Sequence, residues 1–468
     1  MKDPIVHLTP HYQVPSGIAK CFAVSCLIFL VYLLLSSVLV PNVNQLYHSI
    51  SPQNVPLSPA STTSLEHIVF GIASSNKTWF RRKEYVRLWW RPETMKGCVF
   101  LEEMPQNSPS DTNDSVSLPP LCVSGDTSRF QYTDKIGLRS AIRVARMVSE
   151  TVALNHNNVR WFVFGDDDTF FFPDNLAKTL AKYDHGLWYY VGTNSENFQA
   201  NEIFSFEMAF GGAGFAISYP LAEVLAKVLD PCLERYPHVY GSDSRIYACL
   251  TELGVTLTHE PGFHQMDVRG NIFGLLAAHP TRPLVTFHHL DAIEPIFPNM
   301  TTLEALKHFT KATKLDPQRI LQRAVCYDQR LSLTVSVSWG YTVQLIKGNV
   351  PLPDVLRAQQ TFRSWGMRPE ANLDTQRYDS DPCRRPVVFF FDNVFSNGDE
   401  IVSIYKRREN NCTNETKIDE IRVYSEKLDL DMKQAPRRQC CDVLRSSANS
   451  VTGRIRECGP AELIHMHP

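Results

Sequence analysis

Three consecutive aspartates, Asp166, Asp167 and Asp168, follow directly on the apolar run Trp161 to Gly165 and precede Phe170 to Phe172. Adjacent carboxylates repel one another, so they need cations, hydrogen-bond donors or open water beside them. At the carboxyl end of a buried strand, the chemistry that suits them is a divalent cation carrying an anionic ligand. An acidic turn capping a helix that starts near Pro173 and Asp174 accounts for the same residues without any ligand. The motif alone leaves both readings open.

Four further segments carry residue types of the same chemistry. FGGAGFAIS (210–218) places Gly211, Gly212 and Gly214 within four positions, which suits either close backbone approach to a ligand or a tight hairpin. YGSDSRIYACL (240–250) sets Asp243 in a polar loop before a helix, as a general base or as an ordinary N-terminal acid. GVTLTHEPGFHQMDVRGN (254–271) is a strand followed by His264, Gln265 and Asp267 in a Gly-bounded loop. TFHHLD (286–291) supplies His288 and His289 just beyond the apolar stretch Leu284 to Phe287. A lone histidine is usually structural, whereas a His pair at a strand end is a metal-ligand candidate.

The elements that must position these residues alternate between strand and helix. Residues 67–75 and 97–103 read as buried strands, and Arg81 to Trp90 as a helix between them. Residues 103–120 read as a polar surface loop. Asp134 to Leu154 carries apolar residues at helical spacing, beginning with Ile136. After the aspartates come a short helix (174–183) and a strand (187–192). A helix opened by Ser218 follows, with Leu221, Val224, Leu225 and Val228 as its apolar stripe. Such alternation predicts an α/β layer with ligands at the carboxyl ends of the strands. Beyond about Asp316 the texture changes. Residues 332–346 alternate with period two, 386–394 form a buried-strand run and 418–428 a further strand, so 316–468 reads as a β-rich, disulfide-stapled domain.

Cys21 to Val40 is an uncharged, mostly apolar run of twenty residues, long enough to cross a bilayer. Lys2 and Lys20 precede it and the next basic residue is Lys77. The positive-inside rule then predicts a short cytosolic tail (1–20), a type II signal anchor (21–40), a Pro- and Ser-rich stem (41–65) and a luminal body from residue 66. Ten of the twelve cysteines lie beyond the span, four before residue 250 and six from Cys326 onward, and none has zinc-site spacing. Disulfides of unspecified connectivity are expected. Sequons at Asn76, Asn113, Asn299, Asn411 and Asn414 agree with that topology. A net charge of −2 without a basic block excludes an electrostatic footprint for nucleic acid.

The order of the motifs is more specific than any one of them. A strand with Asp-Asp-Asp, then GGAG, then an acidic loop opening a helix, then a His pair, resembles the Fringe-like glycosyltransferases. More narrowly, it resembles the plant family of Fringe-related type II membrane proteins, kin to glycosyltransferase family 31. The resemblance covers about residues 66–315; the C-terminal region is similar only to the narrower family. It implies a GT-A, Rossmann-like nucleotide-diphosphosugar transferase domain.

Carried over by motif, Asp166 and Asp167 would lie along the sugar–nucleotide side and Asp168 would ligate the metal directly. His289, which precedes Leu290 and Asp291 as the family's metal histidine precedes Leu-Glu, would be the second ligand, with His288 as the alternative. Gly211, Gly212 and Gly214 would floor the donor and acceptor pocket. Asp243 would be the acid that deprotonates the acceptor in inverting members, with Asp267 behind it. The chain departs from the pattern here: Fringe proteins carry two adjacent acids where it reads Ser-Asp-Ser, and a gapless alignment starting from the helix puts Ser244 at the catalytic position.

The implied activity is an inverting transfer of a hexose or N-acetylhexosamine from a UDP-sugar to a glycan or glycoprotein acceptor, with a β-1,3-type linkage. Its expected location is the Golgi membrane, or the ER. One imidazole with carboxylate and phosphate oxygens favours Mn²⁺ over Mg²⁺. The alternative is a glycan-binding or scaffold protein that keeps the fold without turnover, a reading favoured by Ser244 and the β-rich tail. A phosphoesterase would need a second His/Asp cluster, and the chain offers one convincing His pair.

Overall fold

Strand β1 (Ile68–Ala73) is buried along its whole length, as its unbroken apolar sequence requires of a strand covered on both faces. In the computed structural model, which describes residues 62–105, 112–365, 375–408, 412, 417–432, 436–446 and 449–465, β1 lies inside a seven-stranded sheet. Its companions are β2 (Lys96–Leu101), β3 (Leu121–Val123), β4 (Trp161–Asp166), β6 (Tyr190–Gly192), β7 (Phe215–Ser218) and β8 (Leu257–His259). The short β5 (Phe170–Phe171) belongs to a separate pair with Thr286–Phe287. The order is β3-β2-β1-β4-β7-β6-β8, parallel except for the reversed β7.

The chain leaves β1 towards β2 on one side and later returns as β4 on the other. The strand order therefore reverses between β1 and β4, where open α/β sheets form a crevice at the carboxyl ends. Ala73 pairs with Asp166 in register, so the aspartates emerge at that crevice.

Helix α1 (Asn76–Trp89), longer by five residues at its start than the expected Arg81–Trp90, packs Trp79, Val86 and Trp89 on one face of the sheet. Helix α2 (Ser140–Ala153) covers the other face with Ile142, Ala145 and Val148 against Val69, Phe162 and Phe164. Ile136 does not join it: α2 begins at Ser140 and Ile136 stands in a loop, 85% exposed. Further helices of this layer are α3 (Pro173–Leu180), α4 (Phe198–Ile203), α5 (Tyr219–Arg235) and α6 (Ser242–Glu252), and the stretch 103–120 expected as a loop contains a short helix, Thr112–Ser117. On α5 the buried stripe is Leu221, Leu225, Leu229 and Cys232, whereas Val228 is exposed. Leu229 and Cys232 continue the Leu221–Leu225 face at helical spacing, and Ala222 and Leu233 widen it on the far side, which leaves Val228 at its edge.

The second sheet has eight strands, in the order 323–328, 333–338, 342–347, 387–397, 400–407, 420–426, 450–456, 440–446, antiparallel except where 420–426 meets 450–456. The expected boundary near residue 315 coincides with the end of helix α7 (Thr302–Leu315). The apolar core nevertheless runs across it. Phe309 of α7 contacts Phe172 and Phe287 on one side and Phe297 on the other, and Phe297 contacts Tyr341 and Phe391 of the second sheet. Residues 362–364 also reach back to pair antiparallel with 268–270. Thr62 to Pro468 accordingly form one compact unit.

Disulfides join Cys98–Cys122, Cys232–Cys249, Cys326–Cys441, Cys383–Cys412 and Cys440–Cys458, so no pair crosses from one sheet to the other. The tail, the anchor and the stem up to residue 61, with the sequons at Asn411 and Asn414, lie outside the described residues. Among the described residues no helix is long and apolar enough to cross a membrane.

Candidate active site

The turn that ends β4 separates the three carboxylates. Asp166, the last residue of the strand, and Asp168 lie towards His288, while Asp167, in the turn closed by the Thr169 N–H on the Asp166 carbonyl, is held by Ser74 on the far side. His288 Nε2 lies 3.3 Å from Asp168 Oδ1 and 3.6 Å from Asp166 Oδ2. One ligand atom from each of these three residues falls within 4.8 Å of the others, a donor set of two carboxylates and an imidazole that fits a divalent cation. Asp168 and His288 are buried, and Asp166 is the member open to solvent.

Asp167, expected on the donor side, has both oxygens engaged from behind. Oδ2 accepts from Ser74 Oγ and Thr78 Oγ1, each at 2.7 Å, and Oδ1 accepts from Arg82 at 2.8 Å. Its place is that of an anchor tying β4 to the start of α1.

Arg82, which sequence reasoning did not single out, joins the site's negative charge to the chain beyond the histidines. Its guanidinium contacts Asp167, Asp168 (3.1 Å) and Asp291 (2.8 Å). Arg81 and Tyr85 also hold Asp291. The available signal was spacing: Thr78 and Arg82, like Arg81 and Tyr85, are four residues apart and share a helix face.

Burial disfavours the charged forms here, and the ion pairs decide which group yields. Burial alone would lower the His288 imidazole, but the Asp168 and Asp166 carboxylates outweigh it and push it up to about 10. Burial would raise Asp168, yet His288 and Arg82 hold it well below the usual carboxylate range. Asp167 moves upward, because burial exceeds the help of Thr78, Ser74 and Arg82.

The order of preference between the two histidines reverses. His289, expected as the metal ligand, adopts a left-handed backbone (φ 53°) and directs Nδ1 to Asp267 Oδ1 at 3.3 Å. Its ring lies between His288 (centroids 3.9 Å) and Trp365 (4.2 Å, nearly parallel). Asp267 is buried, accepting from Ser195 Oγ at 2.6 Å and Gln265 Nε2 at 3.3 Å. It supports His289 from behind and does not stand beside Asp166 and Asp168. His264, one turn of loop earlier, pairs with Glu196 at 2.9 Å.

The glycine turn explains the seat of His288. A Cβ on Gly212 would come within 2.0–2.4 Å of the His288 ring, so the imidazole packs where a side chain would be. Gly214 closes the turn with φ +81°, its N–H donating to the Gly211 carbonyl. The Gly212 carbonyl accepts from Thr169 and the Ala213 N–H donates to Gln265 Oε1, which ties the turn to both flanking loops. Gly212→Ala should displace the imidazole and weaken Mn²⁺ binding by at least about tenfold, read by calorimetry. Unchanged affinity would mean that His288 does not contact the ion.

Gly211 links this turn to the acid. Its N–H donates to Asp243 Oδ2 at 3.2 Å, and Asp243 Oδ1 accepts from the Ser244 N–H at 2.9 Å. Asp243, in the first turn of α6, thus faces the glycine turn, whereas the buried Ser244 hydroxyl has no hydrogen-bond partner among the described residues. Burial raises the Asp243 carboxyl above its ordinary value, the two N–H donors offset part of that, and the charge of Asp166 adds to it. The fully buried Arg245 donates to the carbonyls of Tyr236, Pro237 and Val239 and so pins the loop leading into α6.

Residues 200–441, more than half of the chain, match the family described as protein of unknown function DUF604. The chain belongs to that family. The DUF604 span takes in the glycine turn, Asp243 and the histidines, and begins after the aspartates. This DUF604 chain is also similar to a mouse beta-1,3-glucosyltransferase, 27% identical over 169 residues, which are 36% of this chain and 33% of the mouse protein. It therefore spans about a third of the length of that curated relative.

Among solved structures, a galactosyltransferase, LgtC, in complex with donor and acceptor sugar analogs is 12% identical over 51% of this chain and 92% of its own, at a TM-score of 0.33. The catalytic domain of Drosophila beta1,4-galactosyltransferase 7, in complex with xylobiose, is 11% identical over 41% and 64%, at a TM-score of 0.24.

Proposed function

We propose that this chain is a metal-dependent inverting glycosyltransferase of GT-A type, Fringe-like in the arrangement of its site. It would move a hexose or N-acetylhexosamine from a UDP-sugar to a hydroxyl of a glycan or glycoprotein. The observation that carries the proposal is the convergence of Asp166, Asp168 and His288 with the Gly211–Asp243 contact at the β1/β4 crevice. The sugar transferase relative supports the reaction class, and its printed name agrees with a β-1,3 linkage.

In this mechanism the acceptor oxygen attacks the sugar C1 while the bond from C1 to the diphosphate oxygen breaks. Asp243 takes the acceptor proton, a role suited to a carboxylate whose proton affinity burial has raised. Asp166, Asp168 and His288 would hold a divalent cation, Mn²⁺ before Mg²⁺, whose chemistry is to neutralise charge building on the departing diphosphate. Arg82 keeps Asp168 ionised, and Asp267 keeps His289 against the back of His288. The anchor and stem would place this body in the Golgi lumen, held to the membrane by residues 21–40.

A protein that binds glycans without turnover is the second reading, because a lone Asp243 stands beside Ser244 where two acids are the rule in Fringe proteins. Nucleotide release separates the two. The purified full chain, offered a panel of UDP-sugars and acceptors, should release UDP with Mn²⁺ and not with chelator. Mn²⁺-dependent UDP binding with no release from any donor would establish the second reading.

A further inference from the structure

Trp365 belongs to the C-terminal half of the chain yet stands against the histidines. The strand 362–364 pairs antiparallel with 268–270, Ser364 opposite Val268, and the next N–H, that of Trp365, donates to the Asp267 carbonyl at 3.2 Å. Ser364 Oγ accepts from Asn197 Nδ2 at 3.2 Å, and Phe362 is buried. Backbone pairing and these side chains fix where the half-buried indole lies.

Three rings follow one another from there. The indole lies 4.2 Å from the His289 imidazole at an interplanar angle of 15°, and that imidazole lies 3.9 Å from the His288 ring. The Arg269 guanidinium packs on the same indole, 4.4 Å from its centre. Asp267 serves both ends of this support: its carbonyl accepts from Trp365 and its Oδ1 lies 3.3 Å from His289 Nδ1.

His289 needs such support. Its φ of 53° is a left-handed conformation that a residue with a Cβ keeps only where its surroundings impose it. His288 is its chain neighbour, with Nδ1 3.2 Å from the Gln265 carbonyl and Nε2 towards Asp168 and Asp166. An imidazole that meets a cation through Nε2 is aimed by what holds Nδ1 and by what packs on its face.

We propose that Trp365 is a positioning residue of the metal site: its indole holds the His289 ring, and His289 in turn backs the His288 imidazole beside Asp166 and Asp168. The C-terminal half thereby completes the site whose other residues come from the first sheet and its loops. The inference rests on the reading that Asp166, Asp168 and His288 hold a divalent cation.

The test compares the purified full chain with Trp365→Leu, Trp365→Ala and Trp365→Phe. Leu fills space without a flat face, whereas Phe keeps the face. Mn²⁺ alone is titrated by calorimetry. Its affinity should fall by on the order of tenfold in Trp365→Leu and Trp365→Ala and stay within about threefold of the parent in Trp365→Phe. Co²⁺ serves as a visible probe, because its absorption follows the geometry of its ligands. At saturation its bands should be displaced in Trp365→Leu and unchanged in Trp365→Phe, a difference that a loss of stability alone does not produce. Thermal unfolding without metal checks folding, and the Leu and Phe variants carry the comparison where Ala does not fold.

Equal Mn²⁺ affinity and equal Co²⁺ spectra in the parent and Trp365→Leu overturn the proposal and leave the metal reading standing. A parent that binds neither ion removes the metal reading, and the proposal with it. A Trp365→Leu protein that keeps Mn²⁺ affinity and loses UDP affinity also overturns it, because the indole then serves the nucleotide and not the histidines.

Discussion

An Asp168→Ala variant should lose Mn²⁺-dependent UDP binding by on the order of a hundredfold or more. Asp168 is the buried carboxylate of the Asp166–Asp168–His288 group, with Oδ1 towards His288 and Oδ2 towards Arg82. Its removal would take away one of the three proposed ligands and also the charge beside the His288 imidazole. The fold should survive, because Arg82 keeps Asp167 and Asp291 as partners and is not left as an unpaired buried cation. Thermal unfolding alongside calorimetry separates the two effects. Asp168→Asn, which preserves shape, should fail in metal binding in the same way. Mn²⁺-dependent affinity equal to the parent's in both variants would refute the assignment.

Asp243→Asn should leave UDP and Mn²⁺ binding intact and lower turnover by about 10²–10⁴. The amide oxygen can still accept from the Gly211 N–H, while the NH2 group that replaces the other oxygen loses the Ser244 N–H bond and the side chain can no longer take a proton. The pH profile carries the sign. A base must be ionised to act, so turnover falls as pH drops through the Asp243 pKa. Burial and Asp166 raise that pKa, so the acid limb of kcat should lie above the ordinary aspartate value of about 3.9. Asp243→Glu should recover part of the rate with a displaced limb. An Asp243→Asn protein with undiminished turnover would remove Asp243 as the base.

The two histidines show where sequence reasoning stops. His288 and His289 are chemically identical neighbours at a strand end, and motif matching favours His289 through Leu290 and Asp291. The choice is made by a positive φ at His289 and by the missing Cβ of Gly212, which leaves room for one ring. The backbone angle, and the packing of the imidazole over Gly212, are visible only in the coordinates. Asp267 was legible as a buried acid near the site, but its partners Ser195 and Gln265 come from another loop and from two residues away. Arg82 shows the opposite failure: its spacing to Thr78 was readable, yet only the β1/β4 register brings α1 over the aspartates.

Local chemistry by itself determined the alternating strands and helices of the first layer, the even number of cysteines in each half (four and six) and the clustering of acids at the end of β4. Each follows from periodicity, composition or charge repulsion within one segment, and so survives without knowledge of contacts. Tertiary structure decided which carboxylates share a face, which histidine meets them, that both sheets share one core, and that Asp243 and not Ser244 faces the glycine turn. Those outcomes depend on residues as far apart in sequence as Asp168 and His288, set 3.3 Å apart by packing. Spacing along a chain cannot encode such a distance, because it is fixed by how the sheet, the helices and a glycine without a side chain fill the space between them.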